Sequence, residues 1–201
     1  ELSLPPGESG TAPRLATARG LIRRMQRTTK HLKSFGRRET GERSVIDLRP
    51  VLAAALELVT PRARAVGVLP VLHLPETPAL VLAGSVRMEQ VAVNLLLNAL
   101  DAVEGSAGAA VDLRLSVGGD EVTFSVADNG PGIAPETLPR VTEPFFTTSA
   151  GGEGMGLGLS ICKAIVSEFS GGLSIRSQEG QGATVTVTLP RAHPVAEEAA
   201  E

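Results

Sequence analysis

Apolar residues recur at alternating steps of three and four over residues 14–38, which predicts one long amphipathic helix. Its apolar seam consists of Leu15, Ala18, Ile22, Met25, Thr29 and Leu32. This spacing is typical of bundles and coiled coils, and a helix with a single apolar stripe buries that stripe against a partner. We therefore expect a partner helix from elsewhere, a homodimer formed through residues 14–38, or both.

After residue 43 the pattern changes to short apolar runs, which predict strands, separated by three longer helical patterns. The predicted helices cover residues 50–66, 85–103 and 157–169, with Ser85 as the candidate N-cap of the second. The predicted strands cover residues 45–48, 67–74, 79–82, 110–117, 121–127, 173–178 and 183–189. Because most of these strands follow one another as hairpins and not as βαβ repeats, we expect a two-layer α/β sandwich with a mixed sheet and the helices on one face.

Composition divides the chain into four parts. Residues 1–13 are rich in Pro, Gly and Ser and are expected to form a loop or disordered lead-in. Residues 14–43 comprise the predicted helix and a linker, and residues 44–190 comprise the α/β domain. Residues 191–201 are acidic and Ala-rich, which predicts a disordered tail. Within the domain, the Gly/Pro-rich stretch 128–156 is too long for an ordinary connection and is a candidate functional loop.

Charge and cysteine content narrow the classes of function. The 201 residues carry a formal net charge of −3, which gives no reason to expect nucleic-acid binding, although residues 14–38 hold nine Lys and Arg and no acid. A single cysteine, Cys162, excludes an intrachain disulfide and favours a reducing compartment. No apolar run reaches the length of about 18 residues that a membrane helix needs. We expect a cytoplasmic location, including that of the cytoplasmic part of a membrane-anchored sensor.

Two asparagines, Asn94 and Asn98, lie four residues apart and therefore share one face of the predicted helix 85–103. Asparagine is a poor residue for a helix interior and for a core. A polar pocket wall would explain the pair, and an amide oxygen is a suitable ligand for Mg²⁺. A pair of asparagines bonded to nearby backbone explains it equally well.

Two glycine-rich segments flank the long loop. Asp128-Asn129-Gly130-Pro131-Gly132 ends a predicted strand, so its carboxylate could accept a hydrogen bond from an exocyclic amine, although a plain turn is the stronger reading of these residues alone. The run Gly151 to Leu159 leads directly into a helix, where free N–H groups and the helix dipole attract an anion. It lacks the context of a dinucleotide-binding fingerprint and the Lys-Ser/Thr of a P-loop. Between them, adjacent phenylalanines in Glu143 to Thr148 are expected to anchor the loop to a core.

In this order and spacing the segments resemble the ATP-binding domain of the GHKL superfamily, and specifically that of sensor histidine kinases. The resemblance covers roughly residues 45–190 and rests on an asparagine box, two glycine boxes, a phenylalanine box and a closing strand: RMEQVAVNLLLNALDA at 87–102, DNGPG at 128–132, GMGLG at 154–158, EPFFTT at 143–148 and GQGATVTVTLP at 180–190. Residues 14–38 resemble the second helix of the dimerisation hairpin. The sequence of this helix and of the phenylalanine box is most like that of nitrogen-regulator and C4-dicarboxylate sensor kinases.

The resemblance implies the Bergerat ATP-binding fold, ATP and Mg²⁺ as ligands, and a role in two-component signal transduction. It assigns Asn98 to the Mg²⁺ ion, Asp128 to the adenine amino group, and the loop 129–155 to an ATP lid. The remaining residues of the implied nucleotide site are Gly130, Gly132, Phe146, Thr147, Gly154, Gly156, Leu157, Gly158 and Thr184, of which Thr184 matches a threonine lining the base pocket.

Asn94 separates a kinase from a hydrolase in this superfamily. Hydrolases such as gyrase, mismatch-repair proteins and heat-shock chaperones carry Glu four residues before the Mg²⁺ asparagine, as the general base for water. An amide cannot take that proton, so Asn94 and Asn98 together predict phosphoryl transfer. The chain departs from many relatives after the phenylalanine box, where Ser149-Ala150 replace a lysine. Lys163 is a candidate substitute for that missing cation.

The kinases of this family phosphorylate a histidine followed by an acidic residue, and none of His31, His73 and His193 has that neighbour. We expect the phosphoacceptor domain to lie outside this chain and a cognate response regulator to complete the phosphorelay. The alternatives are a non-catalytic ATP-binding regulatory module, a GHKL ATPase and an anti-sigma serine kinase.

Overall fold

The computed structural model describes residues 43–147 and 156–192, all of which belong to one compact unit. The predicted helix 14–38, the lead-in before it and residues 193–201 lie outside the described residues. Three helices and seven strands are described. The helices are α1 (Leu48–Val66), α2 (Ser85–Val103) and α3 (Gly158–Glu168). The strands are β1 (Ser44–Asp47), β2 (Val71–His73), β3 (Leu80–Ala83), β4 (Val111–Gly118), β5 (Glu121–Asp128), β6 (Gly172–Ser177) and β7 (Ala183–Pro190).

Five of the strands form one sheet in the order β2-β4-β5-β7-β6, and β1 pairs with β3 in a separate two-stranded sheet. Only the β2–β4 pair of the large sheet is parallel, and the other neighbours are antiparallel. The sheet is therefore mixed, as the hairpin pattern predicted. β4 and β5 are joined by the predicted turn, since Gly118 lies opposite Glu121.

One face of the large sheet is covered by the helices. On β5 the side chains of Val122, Phe124 and Val126 are buried, while the residues between them are only partly so. α2 supplies the facing core with Met88, Leu96 and other residues of its apolar stripe, and α1 and α3 pack on either side of it. Burying a side chain such as that of Phe124 contributes about 1.5–3 kcal/mol. The two-layer sandwich with its helices on one face is confirmed.

Two local predictions were wrong. Ser85 begins α2 but does not cap it; Gly84 occupies the N-cap position, and no side chain accepts a capping hydrogen bond there. The strand predicted over 67–74 is reduced to β2, because Gly67 adopts a left-handed conformation (φ 79°) that ends α1. Val68 then donates its N–H to the carbonyl of Ala63, so the chain enters the sheet only after Pro70.

Candidate functional site

Asn98 lies on the exposed side of α2, facing the first residue of α3. A β-carbon placed on Gly158 would be 3.6 Å from both amide atoms of Asn98. α3 begins without a side-chain cap at Leu157, so its first N–H groups have no intrahelical partner. An amide oxygen and an uncapped helix N-terminus therefore lie side by side, which is a suitable arrangement for a cation bound together with an anion.

Asn94 lies one turn earlier and points between α2 and α3. Its Nδ2 atom is buried, and it has no hydrogen-bond partner among the described residues. The neighbouring Cys162 thiol is fully buried; burial raises its pKa to about 12, and the Asn94 amide opposes this shift. An unpaired buried donor is costly, and the only polar side chain described beside this one is the Cys162 thiol. Neither the amide nor the un-ionised thiol can act as a base at neutral pH.

Asp128 ends β5 with only one carboxylate oxygen occupied. Its Oδ1 accepts hydrogen bonds from the backbone N–H groups of Gly130 (2.9 Å) and Ala183 (3.3 Å). Within residues 43–147 and 156–192, Oδ2 receives no hydrogen bond. Burial raises the pKa of this carboxyl above its ordinary value, and the two backbone hydrogen bonds oppose the shift. The carboxylate is thus held in position with one free acceptor.

The glycines around Asp128 mark close approaches of backbone to backbone. A β-carbon on Gly130 would lie 2.8 Å from the carbonyl oxygen of Ala102, at the end of α2. One on Gly132 would lie 2.1 Å from the carbonyl oxygen of Gln178, and one on Gly182 would lie 1.9 Å from that of Asp128. Gly132 and Gly182 also have positive φ angles of 71° and 79°, which disfavour any side chain. Other residues at these positions would push the segments apart.

Hydrogen bonds fasten the first glycine box to the turn between β6 and β7. Gly180 donates its N–H to the carbonyl of Pro131 (2.7 Å), and Ile133 donates its N–H to the hydroxyl oxygen of Ser177 (2.9 Å). The same hydroxyl donates to the carbonyl of Gly182 (2.7 Å). We call this region, residues 128–133 with residues 177–183, the glycine-box end. Its geometry is set by main-chain contacts and by the Ser177 hydroxyl.

Thr184 lies away from this arrangement. β7 pairs with β5 so that Ala183 is opposite Asp128 and Thr184 is opposite Ala127. Paired residues share a face, and successive residues alternate. Ala183 therefore faces the helices together with Asp128, whereas Thr184 faces the open side of the sheet, opposite Arg176 of β6. The base-pocket role that the resemblance implied for Thr184 stays a prediction, and Thr184 does not share the face of Asp128.

The phenylalanine box lies against the residues that precede α3. Phe145 donates its N–H to the carbonyl of Gly156 (3.0 Å), and a β-carbon on Gly156 would lie 2.2 Å from the carbonyl oxygen of Phe146. The guanidinium of Arg140 stacks on the ring of Phe146, 4.5 Å from its centroid. Phe145 is 73% exposed and has a positive φ of 68°. We call this region, residues 140–147 with residues 156–158, the phenylalanine-box end.

The structure brings most of the predicted site residues together at these two ends and along α2. Phe146 and Thr147 are described, and Leu157 is partly buried against the core. Gly154 lies outside the described residues, as does Thr148 of the phenylalanine box. Sequence reasoning overlooked Ser177 and Arg140, because a serine at a strand end and an arginine before a loop carry no spacing signal. Gly182 gave a signal within GQGAT, but it was not assigned a role.

His73, the one histidine among the described residues, lies in the edge strand β2. Its Nε2 is 2.8 Å from Oδ1 of Asp112 on β4, so His73 and Asp112 form an exposed hydrogen-bonded pair. In residues 43–147 and 156–192, no three His, Cys, Asp or Glu side chains converge as metal ligands. No helix in those same ranges is long and apolar enough to cross a membrane.

Comparison with known proteins places the chain among ATPases of one family. The model of the histidine kinase-, DNA gyrase B- and HSP90-like ATPases matches residues 83–193. The C4-dicarboxylate transport sensor protein DctB of Pseudomonas aeruginosa is 36% identical over 173 residues, which are 84% of this chain and 28% of the relative. The sensor histidine kinase ZraS of Salmonella typhimurium is 34% identical over 72% of this chain and 30% of the relative. The chain thus spans less than a third of each of these proteins.

Solved structures agree with these sequence relatives. The catalytic domain of histidine kinase ThkA superposes with a TM-score of 0.66 at 27% identity, covering 75% of this chain and 96% of that domain. Full-length ShkA in complex with AMPPNP superposes with a TM-score of 0.63 at 32% identity, covering 75% of this chain and 31% of ShkA. The chain therefore belongs to the family of histidine kinase-, DNA gyrase B- and HSP90-like ATPases, and it has the fold of a histidine kinase catalytic domain.

Proposed function

We propose that this chain is the ATP·Mg²⁺-binding catalytic core of a two-component sensor histidine kinase, and that it donates the γ-phosphoryl group to a histidine outside the chain. The observation that carries the proposal is the carboxylate of Asp128. Its Oδ1 is fixed by two backbone N–H groups and its Oδ2 is free among the described residues. A fixed carboxylate with one free oxygen at the end of a strand is suited to accept a hydrogen bond from the amino group of adenine.

The rest of the nucleotide extends from Asp128 across α2. Gly130 and Gly132 allow the first glycine box to approach α2 and the β6–β7 turn closely, because they carry no side chain. The phosphates then reach the uncapped start of α3, at Gly158, where free N–H groups and the helix dipole favour negative charge. ShkA, which shares this fold, was solved in complex with AMPPNP, and this supports a nucleotide site in the domain.

Asn98 would hold the magnesium ion. Its amide is exposed and lies beside Gly158, and Mg²⁺ bound by one protein oxygen takes its other ligands from water and from phosphate. When bound, the ion neutralises charge on the phosphates. The lack of a carboxylate cluster at this place among the described residues fits a metal that arrives with the nucleotide.

Asn94 supports transfer to a protein over hydrolysis. The position one turn before Asn98 holds a buried amide and not a carboxylate, so no base there can deprotonate water. Transfer then depends on positioning and on charge stabilisation. The acceptor would be a histidine of a separate phosphoacceptor domain in the same cytoplasmic assembly, with a response regulator downstream. His73 is unsuited to that role because it is already paired with Asp112.

Titration of the 201-residue chain with adenosine and with a non-hydrolysable ATP analogue tests the site. Asp128→Asn should weaken both by about tenfold or more, since a hydrogen bond to a charged group is lost and an amide donor faces the amino group. Asp112→Asn, which removes a carboxylate from the open face of β4, serves as the matched control and should change neither affinity. An unchanged affinity in Asp128→Asn would refute the adenine assignment.

Incubation with γ-labelled ATP and a separate phosphoacceptor domain distinguishes the kinase from a non-catalytic ATP-binding module. We expect acid-labile label on the added domain and none on this chain. Label on this chain alone would contradict the prediction that the acceptor lies elsewhere, and nucleotide binding without any transfer would favour the regulatory module.

A further inference from the structure

Arg140, at the end of the 3-10 turn Leu138–Arg140, presents an incompletely used guanidinium group. Its Nε donates to a carboxylate oxygen of Glu143 (3.3 Å), and its planar head stacks on the ring of Phe146. Within residues 43–147 and 156–192, neither terminal nitrogen has a hydrogen-bond partner. The side chain is 60% exposed. Two contacts thus fix the orientation of the fork while its two terminal N–H₂ groups remain available.

The stack ties this fork to Phe146, whose main chain lies against the residues that lead into α3. The carbonyl of Phe146 approaches Gly156 so closely that only a glycine fits, and Gly158 lies against the amide of Asn98. Arg140, Phe146, Gly156 and the helix N-terminus therefore form a continuous set of neighbours. That set ends at the place where the phosphates of the proposed nucleotide would lie.

Other described cations are engaged elsewhere or lack such an orientation. Arg43 also stacks on a phenylalanine, but that ring belongs to Phe169, just beyond the C-terminal end of α3. Lys163, the candidate from sequence, lies exposed in the second turn of α3 with no described contact that would direct its ammonium group. Arg49, Arg62 and Arg87 form ion pairs with carboxylates of β1, of the C-terminal end of α2 and of α3, respectively.

We propose that Arg140 is a phosphate-binding residue of the nucleotide site, directed at the terminal phosphates of ATP. The inference rests on the proposed function. The two terminal nitrogens of a guanidinium match two phosphate oxygens in a bidentate arrangement, which a lysine cannot reproduce. Arg140 would supply the charge that many relatives obtain from a lysine after the phenylalanine box, where this chain has Ser149 and Ala150.

The inference predicts selectivity for the triphosphate. Arg140→Gln should weaken binding of the non-hydrolysable ATP analogue by about tenfold while leaving the affinity for adenosine unchanged, because the loss of a charge-assisted hydrogen bond affects only the phosphates. Arg140→Lys should restore part of the loss, since it keeps the charge but not the fork. Arg64→Gln removes an exposed charge from the last turn of α1 and is the matched control; it should leave both affinities within about twofold of the wild type.

A purely structural role for Arg140 would weaken adenosine and the ATP analogue equally, and that outcome would overturn the inference. So would a loss of ATP selectivity in Lys163→Gln but not in Arg140→Gln. Phe146→Leu provides a second, independent variant: by removing the platform it should reduce ATP selectivity in the wild type, but not further in Arg140→Gln. If the wild type binds no nucleotide, the proposed function itself fails. If Asp128→Asn behaves as expected and Arg140→Gln does not change the ratio of the two affinities, only this inference fails.

Discussion

The glycine-box end and the phenylalanine-box end lie at the two ends of one proposed nucleotide, but they are built differently. At the first, one main-chain hydrogen bond, two hydrogen bonds of the Ser177 hydroxyl (all 2.7–2.9 Å) and three glycine contacts join elements that are themselves part of the sheet and of α2. At the second, a cation stacked on a ring and an exposed ion pair lie within a loop, and one main-chain hydrogen bond, from Phe145 to Gly156, joins that loop to the residues before α3.

This difference teaches that the two ends of a nucleotide site can differ in rigidity: the proposed base contacts are anchored in the sheet and α2, whereas the proposed phosphate contacts are anchored in a loop. The glycine-box end is joined to the sheet, so we expect it to keep its shape whether or not a ligand is bound, and ordering it on binding should cost little. The contacts at the phenylalanine-box end are individually weak in water, and Phe145 keeps a left-handed conformation in an exposed position. We therefore expect substitutions at that end to cost less stability than substitutions at the glycine-box end.

Gly182→Ala tests the rigidity of the glycine-box end and should have the largest effect. The added methyl group would overlap the carbonyl of Asp128 in a left-handed backbone, which should lower the free energy of unfolding by about 3 kcal/mol and abolish adenosine binding. Gly180→Ala is the matched control, because Gly180 has a similar φ of 77° but open space around it. It should cost only about 1 kcal/mol. Equal costs in urea unfolding would contradict the contact argument.

The pH dependence of adenosine binding sharpens the comparison at Asp128. Its carboxyl must be ionised to accept a hydrogen bond from an amino group without competition from its own proton. Burial raises its pKa, so affinity should begin to fall at a higher pH than for an ordinary carboxyl as the solution is acidified. Isothermal titration at several pH values measures this, and the Asp128→Asn variant should show only the titration of adenosine itself. A wild-type profile that parallels the variant would exclude Asp128 from the site.

The same shift has a consequence for folding. Because the pKa of Asp128 is higher in the folded than in the unfolded chain, its contribution to stability is present at low pH and is lost as the pH rises through the folded pKa. The ionised carboxylate therefore costs stability at neutral pH in the absence of ligand. In the titration series, Asp128→Asn should gain thermal stability over the wild type near pH 7 and lose that advantage in acid.

Glu143→Gln should have the smallest effect and tests the looseness of the phenylalanine-box end. The ion pair with Arg140 is more than half exposed on both sides, so its removal should change the free energy of unfolding by about 0.5 kcal/mol or less. Adenosine affinity should not change. A loss comparable to that of Gly182→Ala in the same urea experiment would show that this end is as tightly built as the other.

The sequence predicted the fold well where one periodicity acted alone. The boundaries of α2 agree with its apolar stripe, and the strands of both hairpins agree to within a residue or two. Predictions failed where a local choice depended on partners far along the chain. The strand predicted over 67–74 is shorter in the structure because Gly67 ends α1. Gly84, and not Ser85, is the N-cap of α2, since residue types alone do not fix a helix start to one residue.

The candidate site was predictable as a set of boxes but not as a set of contacts. The glycines could be recognised, yet which backbone each one approaches depends on how the β6–β7 turn meets the first glycine box. The resemblance assigned a pocket role to Thr184, and only the pairing of β5 with β7 shows that Ala183 is the residue on the side of Asp128. Arg140 and Phe146 lie in a loop without a periodic sequence pattern, so their stacking could not be predicted from the sequence.

The hydroxyl of Ser177, which joins Ile133 to Gly182, has a bearing on where this domain can be lengthened. The hydroxyl is hydrogen-bonded both to Ile133 of the first glycine box and to Gly182 of the β6–β7 turn. Residues inserted into this turn would therefore displace the first glycine box. The turn at Gly118 and Gly119 has open space around both residues and no link to that box. An affinity tag or a fluorescent reporter is therefore better placed between β4 and β5, and natural variation in loop length should be concentrated there as well.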